Sequence, residues 1–226
     1  MPGRKIPLVT DQFYHVFNRG IDHRLTFINK KDYSRALVTL GYYQFVYPPM
    51  KLSRYLQLSV KRRKNVLIRK DRKEKKLVAI IAYCLMPNHY HLLVKQLSDG
   101  GISRFMSNLQ NSYTRFFNVK NERVGPLFLD QFKAVRIETD EQLVHVSRYI
   151  HLNPFSSFIV KKIDNLKDYF GSSLSEYLNN QEGICEKDIL LSFYNNLSEM
   201  KEFIWNQADY QKRLEGVMHL VLEKNP

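Results

Sequence analysis

Tyr83-Cys84-Leu85-Met86-Pro87-Asn88-His89-Tyr90-His91-Leu92-Leu93-Val94 is the stretch whose reading decides the fold. It begins as an apolar strand, breaks at Pro87-Asn88, and restarts with two histidines separated by one bulky residue. Side chains alternate faces along a strand, so His89, His91 and Leu93 share one face, with the imidazoles about 7 Å apart along the chain. Tyr90, Leu92 and Val94 take the other. Two imidazoles on one strand form a ready pair of metal ligands, with no loop to order on binding. A half-buried strand with incidental histidines gives the same bare pattern. The rest of the chain has to decide between the two.

Working outward, Leu77-Val78-Ala79-Ile80-Ile81-Ala82-Tyr83-Cys84-Leu85 reads as a buried strand, and residues 89–95 pair beside it after the Met86-Pro87-Asn88 turn. Near the N-terminus Phe13, His15 and Phe17 alternate with Tyr14 and Val16, as in a strand apolar on both faces. Gly20 supplies the turn that ends it. Tyr33, Leu37, Leu40 and Tyr42/Tyr43 have helical spacing over residues 31–47, stopped by Pro48-Pro49. After Gly100-Gly101, the positions Ile102, Phe105, Met106, Leu109, Tyr113, Phe116 and Phe117 form a clear amphipathic stripe, which makes Tyr113 a packing residue. Residues 133–137 read as another short strand. The order of strand, helix, strand pair, helix, strand, helix predicts an α+β fold, an antiparallel sheet with packed helices.

Composition narrows the partners. The 226 residues carry a net charge of +13, which favours a nucleic acid over an acidic membrane surface. Twelve Lys/Arg against Asp71 and Glu74 give residues 51–76 a net +10, densest at Lys61-Arg62-Arg63-Lys64. This segment reads as a solvated basic insertion that holds phosphates without sequence preference. Cys84 and Cys185 make neither a disulfide framework nor a zinc-finger spacing, and no apolar run approaches a membrane span. With no signal-peptide pattern, the expected setting is cytoplasmic.

A second constellation lies at Thr139-Asp140-Glu141-Gln142-Leu143-Val144-His145-Val146-Ser147-Arg148-Tyr149-Ile150-His151-Leu152-Asn153-Pro154. Thr139 with Gln142 fits a capping box, and Asp140 and Glu141 suit the helix dipole. Leu143, Val144, Val146 and Ile150 form the expected buried stripe. Tyr149 and Asn153 stand one turn apart at its edge, and Pro154 predicts that the helix ends at Asn153. Beyond Leu178 a linker at 179–183 is followed by two helical stretches, 186–194 and 199–222.

A strand with His-hydrophobic-His, followed by a helix with a tyrosine and an amide four residues on, resembles the HUH endonuclease superfamily. In particular it is similar to the single-tyrosine transposases of small insertion sequences and the REP-associated tyrosine transposases. The likeness extends from Tyr14-His15-Val16-Phe17-Asn18-Arg19-Gly20 through Asn111-Ser112-Tyr113-Thr114-Arg115-Phe116-Phe117-Asn118 and Phe132-Lys133-Ala134 to Arg148-Tyr149-Ile150-His151-Leu152-Asn153-Pro154. It departs at Leu129-Asp130-Gln131, where many relatives read Gln-Gly-Arg.

The resemblance implies a ferredoxin-like (RRM-like) antiparallel sheet and a metal-dependent single-stranded DNA endonuclease and strand transferase, a transposase. Tyr149 would be the nucleophile, held covalently to a 5′-phosphate in the intermediate. His89, His91 and Asn153 would ligate a divalent metal, Mg2+ or Mn2+. Lys61, Arg62, Arg63, Lys64, Arg115 and Lys133 are the expected DNA contacts, and the partner would be single-stranded or hairpin DNA, with no membrane. Relatives include homodimers and monomers. The expected organisation is a catalytic domain at 1–178, with the basic insertion at 51–76, and a helical extension at 179–226. The rival reading is a non-catalytic nucleic-acid-binding module, an aromatic sheet that stacks bases beside a basic loop.

Overall fold

Four strands carry the architecture: β1 (Phe13–Arg19), β2 (Val78–Met86), β3 (His89–Gln96) and β4 (Lys133–Ile137). They form one sheet in the order β2-β3-β1-β4, with every neighbouring pair antiparallel. The computed structural model describes residues 7–48, 50–67, 76–179 and 182–213. With α1 (Lys30–Tyr43) between β1 and β2 and α4 (Gly101–Lys120) between β3 and β4, strand order and connections are those of the ferredoxin-like sheet.

The alternation rule sorts the two faces. Tyr14 and Val16 of β1 and Tyr90, Leu92 and Val94 of β3 pack with Leu40, Phe105, Met106 and Tyr113 of α1 and α4. On the other face, Leu93 of β3 and Ala79, Ile81 and Cys84 of β2 join Ile150 and Leu152 of α5 (Asp140–Ser156). β2 is buried at all nine positions because helices cover it on both sides. Leu92 is fully buried at the centre of the first core, so Leu92→Ala is expected to cost ~2–5 kcal/mol. Denaturant titration would register this as a lower midpoint with the slope unchanged.

The expected elements stand, with four physical differences. First, α1 ends at Tyr43, before the prolines. Second, part of the basic segment is helical, as α2 (Leu52–Gln57) and α3 (Val60–Leu67), with Leu52 and Tyr55 buried against Tyr42 of α1. The residues at 68–75 and the Lys64 side chain lie outside the described residues. Third, Gly20 has an ordinary backbone, φ −61°, and its place is set by crowding: a Cβ there would meet the Arg24 carbonyl oxygen at 2.4 Å.

Fourth, α5 runs three residues past Asn153, through Pro154. Pro154 withholds only one N–H from the helix, and burial of Phe155 and Ser156 holds this last turn. Among the C-terminal stretches, α6 (Leu174–Leu178), α7 (Lys187–Leu191) and α8 (Leu197–Trp205) add Leu174, Leu190 and Met200 to the second core. The long helix expected from 199 breaks at 206–207, and residues 214–222 lie outside the described residues. Among the described residues no helix is long and apolar enough to cross a membrane.

Candidate active site

His89 and His91 project from β3 on the face that α5 covers, their rings 5.0 Å apart and nearly perpendicular. α5 is capped by Thr139, whose Oγ1 accepts from the Gln142 N–H at 3.1 Å, while Gln142 Oε1 accepts from the Glu138 N–H at 2.8 Å. That cap, the acids in the first turn and the packing of Leu143 and Ile150 fix the helix across the sheet. Tyr149 is thereby laid edge-on to His91, with ring centroids 5.5 Å apart, and to His15 of β1, at 5.9 Å. One turn on, Asn153 is 2% exposed and lies beside His89. One chain thus brings His89, His91, Tyr149 and Asn153 together.

Burial dominates the electrostatics of the imidazoles. It lowers the His89 pKa to about 4, the Asn153 amide opposing this in part and His23 adding to it. His91 is pushed well below the ordinary histidine value, first by burial and then by His89 and His15. Both rings are therefore neutral at pH 7 and can offer lone pairs.

Among the described residues no group of three His, Cys, Asp or Glu side chains is placed to hold a metal ion, which leaves two imidazoles and an amide as the candidate donor set. The residues fit such a set. Asn153 Oδ1 is buried and makes no well-formed hydrogen bond, and its amide interacts with the neighbouring His89 ring. An unsatisfied buried acceptor costs ~1–3 kcal/mol, and a cation would supply what it lacks. An amide oxygen with two neutral imidazoles leaves coordination positions for phosphate oxygens.

A cleft of about 380 Å3 opens beside the histidines, lined by residues that include Phe17, Arg19, Leu129, Gln131 and Lys133. Lys133 is exposed, stands opposite Phe17 across the β1–β4 pair, and places Nζ 6.0 Å from the Phe17 ring. Among the described side chains of the expected DNA contacts, Lys133 alone joins this face. Arg115 is exposed on α4, in the layer on the far side of the sheet. Lys61 and Arg62 are exposed on α3, which stands on the α1 side. Arg63 is used internally: its Nε donates to the Leu58 carbonyl at 2.9 Å, a second donor reaches the Leu56 carbonyl, and its guanidinium lies 5.9 Å from the Tyr55 ring centroid.

Two residues of the site escaped the reading of the sequence. His15 alternates with Tyr14 and Val16 in the same way as Phe13 and Phe17 on an apolar strand, yet its Nε2 lies 3.0 Å from His91 Nδ1. Arg19 pairs directly with His89 across β1 and β3, so it shares the site face, and its guanidinium reaches His23 Nε2 at 2.8 Å. The signal for both was present: they continue the period-two face of β1 that also carries Phe17.

Comparison with known proteins points the same way. The family described as "Transposase IS200 like" matches residues 37–153, just over half of the chain, a span that ends on Asn153. No curated protein is found to match. A solved structure described as the REP associates tyrosine transposase bound to a REP hairpin is similar in fold, with a TM-score of 0.53 at 14% sequence identity. The similarity covers 79% of this chain and 86% of that one.

Proposed function

Because this chain belongs to the IS200-like transposase family, we propose that it cleaves and rejoins single-stranded DNA through a covalent bond to Tyr149. The observation that carries the reading is the packing of the Tyr149 ring on His91, in the same chain and one helical turn from the buried Asn153 oxygen. A module that only binds nucleic acid needs neither a placed phenol nor a paired set of neutral imidazoles.

His89 and His91, with Asn153, would hold a divalent cation, Mg2+ or Mn2+. When bound, that cation supplies Lewis-acid polarisation of the scissile phosphate. Oxygen-coordinated, labile ions suit this chemistry better than tightly held transition metals. Arg19 and Lys133, at the edge of the cleft, attract the phosphodiester and orient it, and Phe17 offers a ring for an unpaired base. Tyr149 Oη attacks phosphorus in line. The Oη–P bond forms, the P–O3′ bond breaks, and the phenol proton passes through solvent to the departing 3′-oxygen. The product is a 5′-phosphotyrosine and a free 3′-OH. Attack by another 3′-OH reverses the bond change and joins strands without ATP. All four groups lie in one chain, so the chemistry does not call for a homodimer.

On this reading residues 1–178 are the catalytic unit and 179–226 the extension. The extension braces the nucleophile's helix: the Arg148 guanidinium lies 4.3 Å from the Phe203 ring centroid. The substrate class on this reading is single-stranded DNA with a hairpin, in keeping with the REP hairpin bound by the structural neighbour. The test is incubation with labelled hairpin DNA and Mn2+, followed by denaturing electrophoresis. A label that stays with the protein supports the proposal; binding without any adduct would favour the non-catalytic module instead.

The basic segment supplies affinity in this scheme. Replacing Lys61 and Arg62 with glutamine is expected to weaken binding to all sequences alike. It should flatten the plot of log affinity against log salt by roughly 0.7 per lost phosphate contact. An unchanged slope would place α3 away from the DNA.

A further inference from the structure

A histidine can bind a cation through one ring nitrogen only when the proton sits on the other. At His89 this is settled by its neighbour. Nδ1 lies 2.7 Å from Asn88 Oδ1, an oxygen that only accepts, so Nδ1 holds the proton and Nε2 keeps the lone pair. At His91 the partner is a second imidazole, His15, with Nε2 3.0 Å from His91 Nδ1. If His91 donates, its Nε2 is a ligand like that of His89. If His15 donates, the remaining proton of neutral His91 sits on Nε2, where it blocks a cation.

We propose that His15 is a positioning residue of the metal site: its Nε2 accepts from His91 Nδ1 and so holds His91 in the tautomer that presents Nε2 to a divalent cation. The inference rests on the reading of His89, His91 and Asn153 as ligands. The fold places His15 for this task. It pairs with Leu93 in the β1–β3 register, which makes it the diagonal neighbour of His91 on the same face. The rings meet edge to edge, centroids 5.1 Å apart and planes only 26° from parallel, as an in-plane N–H···N bond requires, and Phe17 packs at 4.9 Å on His15 and 5.8 Å on His91. His15 Nε2 is committed to His91, so His15 acts through that ring rather than as a ligand of its own. Backing of a metal-bound imidazole by a hydrogen-bond partner is a general device for fixing ring orientation and tautomer.

The test reads metal binding rather than DNA cleavage. Mn2+ titrations followed by electron paramagnetic resonance are compared for the wild type, His89→Ala, His15→Leu and His15→Gln. Leucine fills space without an acceptor, while glutamine restores one. His15→Leu is expected to bind Mn2+ about 10–100-fold more weakly, the usual range for loss of such a partner, with glutamine recovering most of the affinity. Equal affinity in His15→Leu and wild type overturns the proposal, as does a glutamine variant no better than the leucine one.

If the leucine variant does not fold, nitrogen NMR of the wild-type imidazoles decides the matter directly. A proton on His91 Nδ1 in the metal-free protein is expected, and a proton on Nε2 overturns it. Failure of the underlying reading looks different: wild type and His89→Ala would then bind Mn2+ equally poorly, and the role of His15 would fall with it.

Discussion

Tyr149→Phe is expected to leave folding, metal binding and DNA binding intact and to form no covalent adduct with DNA. The substitution removes one hydroxyl from a half-buried ring whose apolar contacts with His15 and His91 remain. It also removes the attacking atom, so the effect on adduct formation is total rather than graded. Tyr113 is the control, since it lies in the equally aromatic run Ser112-Tyr113-Thr114-Arg115-Phe116-Phe117. It is 1% exposed, its hydroxyl donates to the Thr26 carbonyl at 2.7 Å, and its ring packs on Phe27 at 5.1 Å on the far side of the sheet. Tyr113→Phe should therefore still trap DNA, with a loss of ~1–3 kcal/mol in stability from the unpaired carbonyl. Peptide mapping of the trapped species settles the assignment. A label on Tyr113, or an adduct in Tyr149→Phe, would sink it.

Removal of the divalent cation, or His89→Ala, is expected to abolish cleavage and spare most DNA binding. Loss of ~4 kcal/mol of charge stabilisation at the phosphate corresponds to about a thousandfold in rate. Affinity, by contrast, would on the proposed reading come mainly from lysines and arginines on α3 and at the edge of the cleft. The two effects separate in one experiment, which compares adduct yield and equilibrium binding with and without chelator and after Mn2+ is restored. Chelated wild-type protein that cuts at the normal rate would rule out the metal-assisted route.

Much of this arrangement was legible along the chain because period and punctuation report local geometry. Alternation set His89 and His91 on one face of β3, and the Pro87-Asn88 break set the pairing of β2 with β3. The three- and four-residue spacing of α4 made Tyr113 a core residue, and Thr139 marked the start of α5. The same reasoning went astray where a residue's surroundings come from elsewhere in the sequence. Val144 and Val146 were expected in the buried stripe of α5 but are only partly buried, whereas the polar Ser147 and His151 are buried. His151 Nε2 lies 2.9 Å from Ser173 Oγ, a partner that follows α5 by a long interval. Polar side chains enter a core when a partner awaits them, and a helical wheel does not contain the partner.

The amino-acid sequence by itself determined the order of elements, the alternation of the sheet, the histidine pair, and the spacing of Tyr149 and Asn153, because each is a relation among residues close together in the chain. Only the tertiary structure decided that Tyr149 lies against His91 of its own chain and that Asn153 Oδ1 is buried beside His89. It alone set His15 behind His91 and turned Arg63 inward to backbone carbonyls. The relations among His15, His91, Tyr149 and Asn153 depend on how β1, β3 and α5 cross, and that crossing is fixed by burial of apolar side chains on both faces of the sheet.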